Sequence, residues 1–154
     1  PYSEIVPALD QPALHWTEEQ INDLSATMQR QRQRLTQLMW EAAAISRSQD
    51  GLESAIAALR EWRAEIKRHP LQALHTLPAS TVCPLPKALS GTLVRAWGEL
   101  CNLHDIAWLI LTSAAFRTES RGGHFRRDYP QASPEWQVHT VVAGDRWATS
   151  PPIE

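Results

Sequence analysis

Three stretches of this chain repeat apolar residues every three or four positions over helical lengths, which leaves little room for anything but a helical bundle. The first runs Ile21, Leu24, Met28, Gln31, Leu35, Leu38, Ala42, Ile45, with Gln31 as its polar break. The second is Leu52, Ala55, Ile56, Leu59, Trp62, Ile66. The third is Leu89, Leu93, Ala96, Leu100, Leu103, Ala107, Ile110, Ala114, widened by Trp97, Ile106 and Leu111. Such spacing lines one face of an α-helix, and a narrow seam of this kind packs on its neighbours at a shallow angle. With about 1.5–3 kcal/mol gained per buried large aliphatic side chain, three seams offset the backbone entropy of one small domain. The expected fold is all-α: an antiparallel, spectrin-repeat-like three-helix bundle over 17–121, with helices at about 17–47, 50–69 and 86–121.

Punctuation between the seams supports these boundaries. Thr17-Glu18-Glu19-Gln20 is a capping box with two acids at the positive end of the helix dipole. His69-Pro70 ends the second pattern, and Pro70, Pro78, Pro84 and Pro86 mark a long connection. Gly122-Gly123 supplies residues tolerant of positive φ where the third helix should stop, and Pro130 and Pro134 prevent its resumption. Residues 122–154 are then an extended tail. Within it, Trp136–Val142 and Arg146–Thr149 fit the two short strands of a hairpin around Ala143-Gly144-Asp145. Residues 1–16, with Pro1, Pro7 and Pro12 and no initiator Met, read as a linker cut from something longer.

Composition narrows the function classes. At 154 residues the chain has room for one domain, and its formal charge of −2 gives no polyanion-seeking surface. Nucleic acid is not an expected partner. The longest apolar run, Ile106 to Phe116, is too short for a bilayer of roughly 20 residues, so no membrane partner is expected. Cys83 and Cys101 are neither clustered nor in a C-x-x-C pair, which fits a reducing cytoplasm. Cys101 and His104 lie one helical turn apart, but with Cys83 in a proline-rich stretch they read as a buried thiol and a core histidine, so no metal site is assigned. Phosphate-binding, zinc-protease and nucleophile-elbow motifs are missing from the sequence. The seven tryptophans read as core and hinge packing, some of them faces awaiting cover.

The densest cluster of functional side chains is Arg117 to Pro130, with four arginines, two acids and a histidine. Arg117 and Arg121 stand four apart on the expected last helical turn, where cations favour the carbonyl end of the dipole. Beyond such capping, guanidinium forks suit an interface with carboxylates or backbone carbonyls of a neighbouring domain, with Phe125 and Tyr129 as anchors. His124 as a general base beside dicarboxylate-holding arginines is chemically feasible, but the chain carries no visible electron acceptor.

The pattern Arg117-x-Glu119-Ser120-Arg121-Gly122-x-His124-x-Arg126-x-Asp128-Tyr129-Pro130, followed by Trp136 and His139, resembles the C-terminal signature of the succinate dehydrogenase and fumarate reductase flavoproteins. Upstream, Leu38-Met39-Trp40-Glu41, Ile45-Ser46-Arg47, Gly51-Leu52 and Ala55 are similar to a pattern of the L-aspartate oxidases, in the same order. Ala44 departs from it, since the family usually has glycine there. The Met-Trp pair and Asp128-Tyr129-Pro130 tilt the resemblance to the aspartate oxidase branch.

This resemblance, over about residues 17–142, implies a parent with an FAD-containing body and a capping domain that bind a C4 dicarboxylate, both preceding this segment. Residues 1–16 would be the linker from the flavin domain. For an aspartate oxidase, L-aspartate would become iminoaspartate, taken on by quinolinate synthase into NAD biosynthesis. No catalytic, cofactor-binding or metal residue is carried over to this chain. Its expected part is support, with Arg117, Glu119, Ser120, Arg121, Gly122, His124, Arg126, Asp128 and Tyr129 docking it on the flavin and capping domains. The alternatives are the corresponding domain of a succinate dehydrogenase or fumarate reductase flavoprotein, or a freestanding helical interaction module.

Overall fold

The computed structural model describes residues 17–72, 74 and 89–151. The expected linker at 1–16, Cys83, most of the proline-rich connection and the expected start of the third helix at 86–88 lie outside the described residues. Three long helices dominate: α1 (Glu18–Ala43), α2 (Gln49–Arg68) and α3 (Gly91–Phe116). Between α1 and α2, β1 (Ser46–Arg47) pairs in parallel with β2 (Phe125–Arg126). The tail closes with an antiparallel hairpin of β3 (Thr140–Ala143) and β4 (Arg146–Thr149). No helix of the described residues is long and apolar enough to cross a membrane.

The packing gives the order up-down-up: Leu24 and Met28 early in α1 cluster with Ile66 late in α2 and Trp97 early in α3, and Ala42 late in α1 with Leu52 early in α2 and Leu111 late in α3. Gln31 of α1 meets Glu65 of α2 and Arg63 of α2 meets Asp105 of α3, while Arg32 of α1 reaches Glu99 of α3. Thus α2 runs against both neighbours, and α1 and α3 run side by side in one direction. The all-α, antiparallel three-helix fold is as the seams require.

Each N-terminus is capped by a side chain from the residue before the helix. Thr17 accepts from Gln20 N–H in a full capping box, Ser48 from Gly51 N–H and Ser90 from Leu93 N–H. The C-termini differ from expectation. α1 stops at Ala43, not 47, because Ser46–Arg47 leave the helix to pair with β2 and the Arg47 side chain returns to the Ala43 carbonyl at 3.2 Å. α3 stops at Phe116, not 121, so Arg117 and Arg121 are not on a last helical turn.

The core falls into two apolar clusters. One gathers Leu24, Met28, Ile66, Leu71, Trp97 and Leu100, and the other Leu35, Leu52, Leu59, Ala107 and Leu111. Buried Gln31 and His104 belong to neither cluster. On α3 the buried residues are Trp97, Leu100, Cys101, His104, Ala107, Leu111 and Ala114. Leu100, Ala107 and Ala114 of the expected seam are buried, with Trp97 and Leu111 from its widened side, but Leu103 and Ile110 give way to His104 and Leu111 and are exposed. α3 is apolar on more than one face, so periodicity alone admits two registers there. Ile45, placed on the first seam, lies beyond the helix end and is 84% exposed.

Candidate functional site

The Arg117–Tyr129 segment folds across the end of the bundle where α1 and α3 finish and α2 begins. Its centre is Arg126, whose side chain is wholly buried. The guanidinium donates to the carbonyls of Ala114 at 2.8 Å, Ala115 at 3.2 Å and Arg117 at 3.3 Å, the negative end of the α3 dipole. It also donates to Gln49 Oε1 at 2.6 Å and grips Asp128 with two bonds of 2.9 and 2.6 Å. Asp128 in turn accepts the Gln49 N–H at 2.9 Å, at the positive end of α2. One ion pair thus sets a cation on the carboxyl end of one helix and an anion on the amino end of its antiparallel neighbour. The Arg126 guanidinium beside Asp128 holds that carboxyl well below the usual carboxylate range.

A second node is Glu119, also fully buried. It accepts from Arg117 Nε at 2.8 Å, Arg121 Nε at 2.9 Å and the Ser133 N–H at 2.8 Å. Burial alone would push its pKa up, but the bonds from Arg121, the Ser133 amide and Arg117 outweigh burial and bring it to about 2. Arg117 also donates to the Val138 carbonyl at 3.2 Å, and Arg121 to that of Ser133 at 3.1 Å, so the node ties the tail to the bundle.

Backbone geometry completes the loop. Arg121 and His124 exchange backbone hydrogen bonds of 2.8 and 3.0 Å across a two-residue turn, and Gly122 takes φ +56° at its first corner. Ser120 Oγ accepts from Arg126 N–H at 2.8 Å and donates to the Tyr129 carbonyl at 2.7 Å. His124 Nε2 donates to the Arg117 carbonyl at 3.2 Å, and burial keeps this imidazole below its ordinary pKa. Trp136 Nε1 donates to Thr118 Oγ1 at 3.0 Å with its ring edge-on to Phe116, and His139 N–H donates to Ser150 Oγ at 2.9 Å.

All nine residues of the expected docking set are therefore close together, but they divide by exposure. Arg117, Glu119, Ser120, His124 and Arg126 are buried or half-buried against partners within the chain, whereas Arg121, Gly122, Asp128 and Tyr129, with neighbouring Phe125, present surface to solvent. Capping of α3 falls to Arg126, not to Arg117 or Arg121 as their spacing suggests. The two stretches that carry the resemblance meet in space: Ser46↔Phe125 and Arg47↔Arg126 are in register, and Arg127 N–H donates to the Arg47 carbonyl at 2.8 Å. Ala44, where the resemblance has glycine, follows α1 as its C-cap with φ −64° and ψ −137°. Sequence reasoning missed Gln49, which links Arg126 and Asp128, and an isolated glutamine carries no pattern that would mark it.

The three described helix N-termini do not form a pyrophosphate cradle of the glycine-rich kind. A pyrophosphate needs free amides at a helix N-terminus reached through a glycine-rich turn. Here all three N-termini are occupied by side chains of this chain, that of α2 by both Ser48 and Asp128. Nor do the described residues gather three or more metal-ligating side chains. Cys101 is a buried thiol raised to about 11 by burial and by nearby Asp105.

The chain matches the family described as Fumarate reductase flavoprotein C-term over residues 32–79 and 86–154. It is 44% identical to an L-aspartate oxidase of Nostoc sp. over 121 residues, covering 78% of this chain and 21% of that protein. It is 43% identical to an L-aspartate oxidase of Synechocystis sp. over 126 residues, 81% of this chain and 23% of that protein. A fumarate reductase (CoM/CoB) chain of Methanothermobacter marburgensis is 32% identical over 106 residues, 69% of this chain and 17% of that protein. No solved structure matches significantly. The chain spans about a fifth of the length of these curated relatives. On the family match over most of its length, this chain belongs to the fumarate reductase flavoprotein C-terminal family.

Proposed function

We propose that this chain is the C-terminal helical domain of an FAD-dependent L-aspartate oxidase that oxidises L-aspartate to iminoaspartate in the cytoplasm and feeds quinolinate synthase in NAD biosynthesis. What carries the branch is identity: 43–44% to the two L-aspartate oxidases against 32% to the fumarate reductase chain. Within the parent, FAD and substrate belong to the flavin and capping domains, and this domain supports them without catalysing. The helix-end network gives that role a mechanism. Arg117, Glu119, Ser120, Gly122, His124, Arg126 and Asp128 hold the loop rigid through bonds inside the chain. Arg121, itself held on Glu119 and the Ser133 carbonyl, is presented with Phe125 and Tyr129 to the neighbouring domains with little ordering cost on docking.

The test uses the parent polypeptide and the 154-residue chain side by side. Tyr129→Ala should accelerate flavin loss and lower L-aspartate turnover in the parent while costing the 154-residue chain no more than the ring's contact with the Arg126 guanidinium, about 1 kcal/mol in its unfolding free energy. Unaltered flavin retention and turnover in Tyr129→Ala and Arg121→Ala alike rule out the docking role. The 154-residue chain alone should show no saturable FAD binding and no oxidation of L-aspartate, and either activity refutes the assignment of redox chemistry to other domains.

A further inference from the structure

The apolar stripe of α3 is wider than the face it buries, and the flank with Leu103, Ile106 and Ile110 is a surface that the bundle does not use. Between the parallel helices α1 and α3 lies a groove of about 690 Å³, floored by Leu35 and Ala107 and walled by Met39, Trp40, Ile106 and Ile110. Trp40 is 75% exposed and Ile45, at the groove's end, 84%. Leu103, Ile106 and Ile110 repeat at helical spacing along the α3 wall, each at least 39% exposed. Large apolar side chains gathered in one trough are costly to leave in water and mark an interaction face. Two parallel helices with a trough between them fit the apolar stripe of one further helix.

We propose that an apolar helix of the flavin-binding body of the same parent polypeptide seats in this groove, a contact separate from the arginine-bearing loop. The inference rests on the reading of this chain as one domain of a larger flavoprotein. Two observations choose this occupant over a second copy of the chain. The relatives carry about four-fifths of their length outside the matched region, and a tethered neighbour acts at an effective concentration on the order of millimolar. The groove also ends at Ile45, next to β1, and β1 pairs with β2 of the loop that we propose for docking. A single body can therefore cover both surfaces, whereas two copies meeting at the groove would compete with it at that end.

Hydroxyl-radical labelling followed by mass spectrometry, on the parent polypeptide and on the 154-residue chain, tests this without any substitution. Trp40, Ile45 and Ile106 should label roughly tenfold more slowly in the parent, as for side chains at the water-excluded centre of an interface. If Phe125 and Tyr129 are protected in the parent while Trp40 and Ile106 label equally in both, the groove proposal fails and the docking reading stands. If neither set is protected, both fail. Protection of Trp40 in the 154-residue chain that rises with its concentration assigns the groove to a second copy and overturns the proposal.

Discussion

Replacing Arg126 with methionine isolates the contribution of the helix-end lock. The variant keeps an unbranched side chain in a fully buried position but removes the guanidinium from the carbonyls of Ala114, Ala115 and Arg117 and from Asp128. Removing one member of a buried ion pair costs about 3–5 kcal/mol. Asp128 retains 29% side-chain exposure and the Gln49 N–H, so water recovers part of that, and the expected loss is about 2–4 kcal/mol. With a urea m-value of about 1.5–2 kcal/mol/M, the unfolding midpoint of the 154-residue chain should fall by about 1–2.5 M. Arg126→Lys should restore only a fraction, because a single ammonium cannot span three carbonyls and grip a carboxylate with two donors. In a double-mutant cycle with Asp128→Asn, the coupling should be about 1–3 kcal/mol. A loss below about 1 kcal/mol for Arg126→Met, the worth of an exposed pair, or full rescue by lysine, refutes the argument that this guanidinium locks two helix ends.

Acid should weaken the fold in two stages. Burial, reinforced by Arg63, lowers His104 from 6.5 to about 4, so between these values the unfolded chain binds the proton that the folded chain refuses, and stability falls as pH falls. Glu119 and Asp128, both held below their unfolded values, add stability that is fully present above about 4.5 and lost as pH drops toward 2. His104→Leu should flatten the upper stage by on the order of 3 kcal/mol in urea titrations at pH 6.5 and 4, and an unchanged slope there contradicts a neutral buried imidazole. At the turn, Gly122→Ala should cost about 1–2 kcal/mol because of its φ of +56°, while Gly123→Ala, which meets nothing within 4 Å and has no positive φ, should be nearly silent. Equal effects at the two glycines count against the turn geometry.

The fold class, the number of helices and most of their buried faces were legible in the order of residues alone, because a 3-4 apolar repeat is a local property that any packing of the helices must satisfy. So were the segment that matters and its family resemblance, through fixed spacings of Arg117, Glu119, Arg121, Arg126 and Asp128. What those residues do emerged with the packed helices. Arg126 and Gln49 are 77 positions apart, and nothing local to either says that the end of α3 and the start of α2 lie side by side with opposed dipoles. The same holds for α3, whose apolar residues satisfy two seams until α1 and α2 choose Leu111 and His104 for the interior and leave Leu103, Ile106 and Ile110 outside. Periodicity fixes that a helix has an inner face; which face it is, and which charges meet at its end, depends on neighbours brought in from distant sequence.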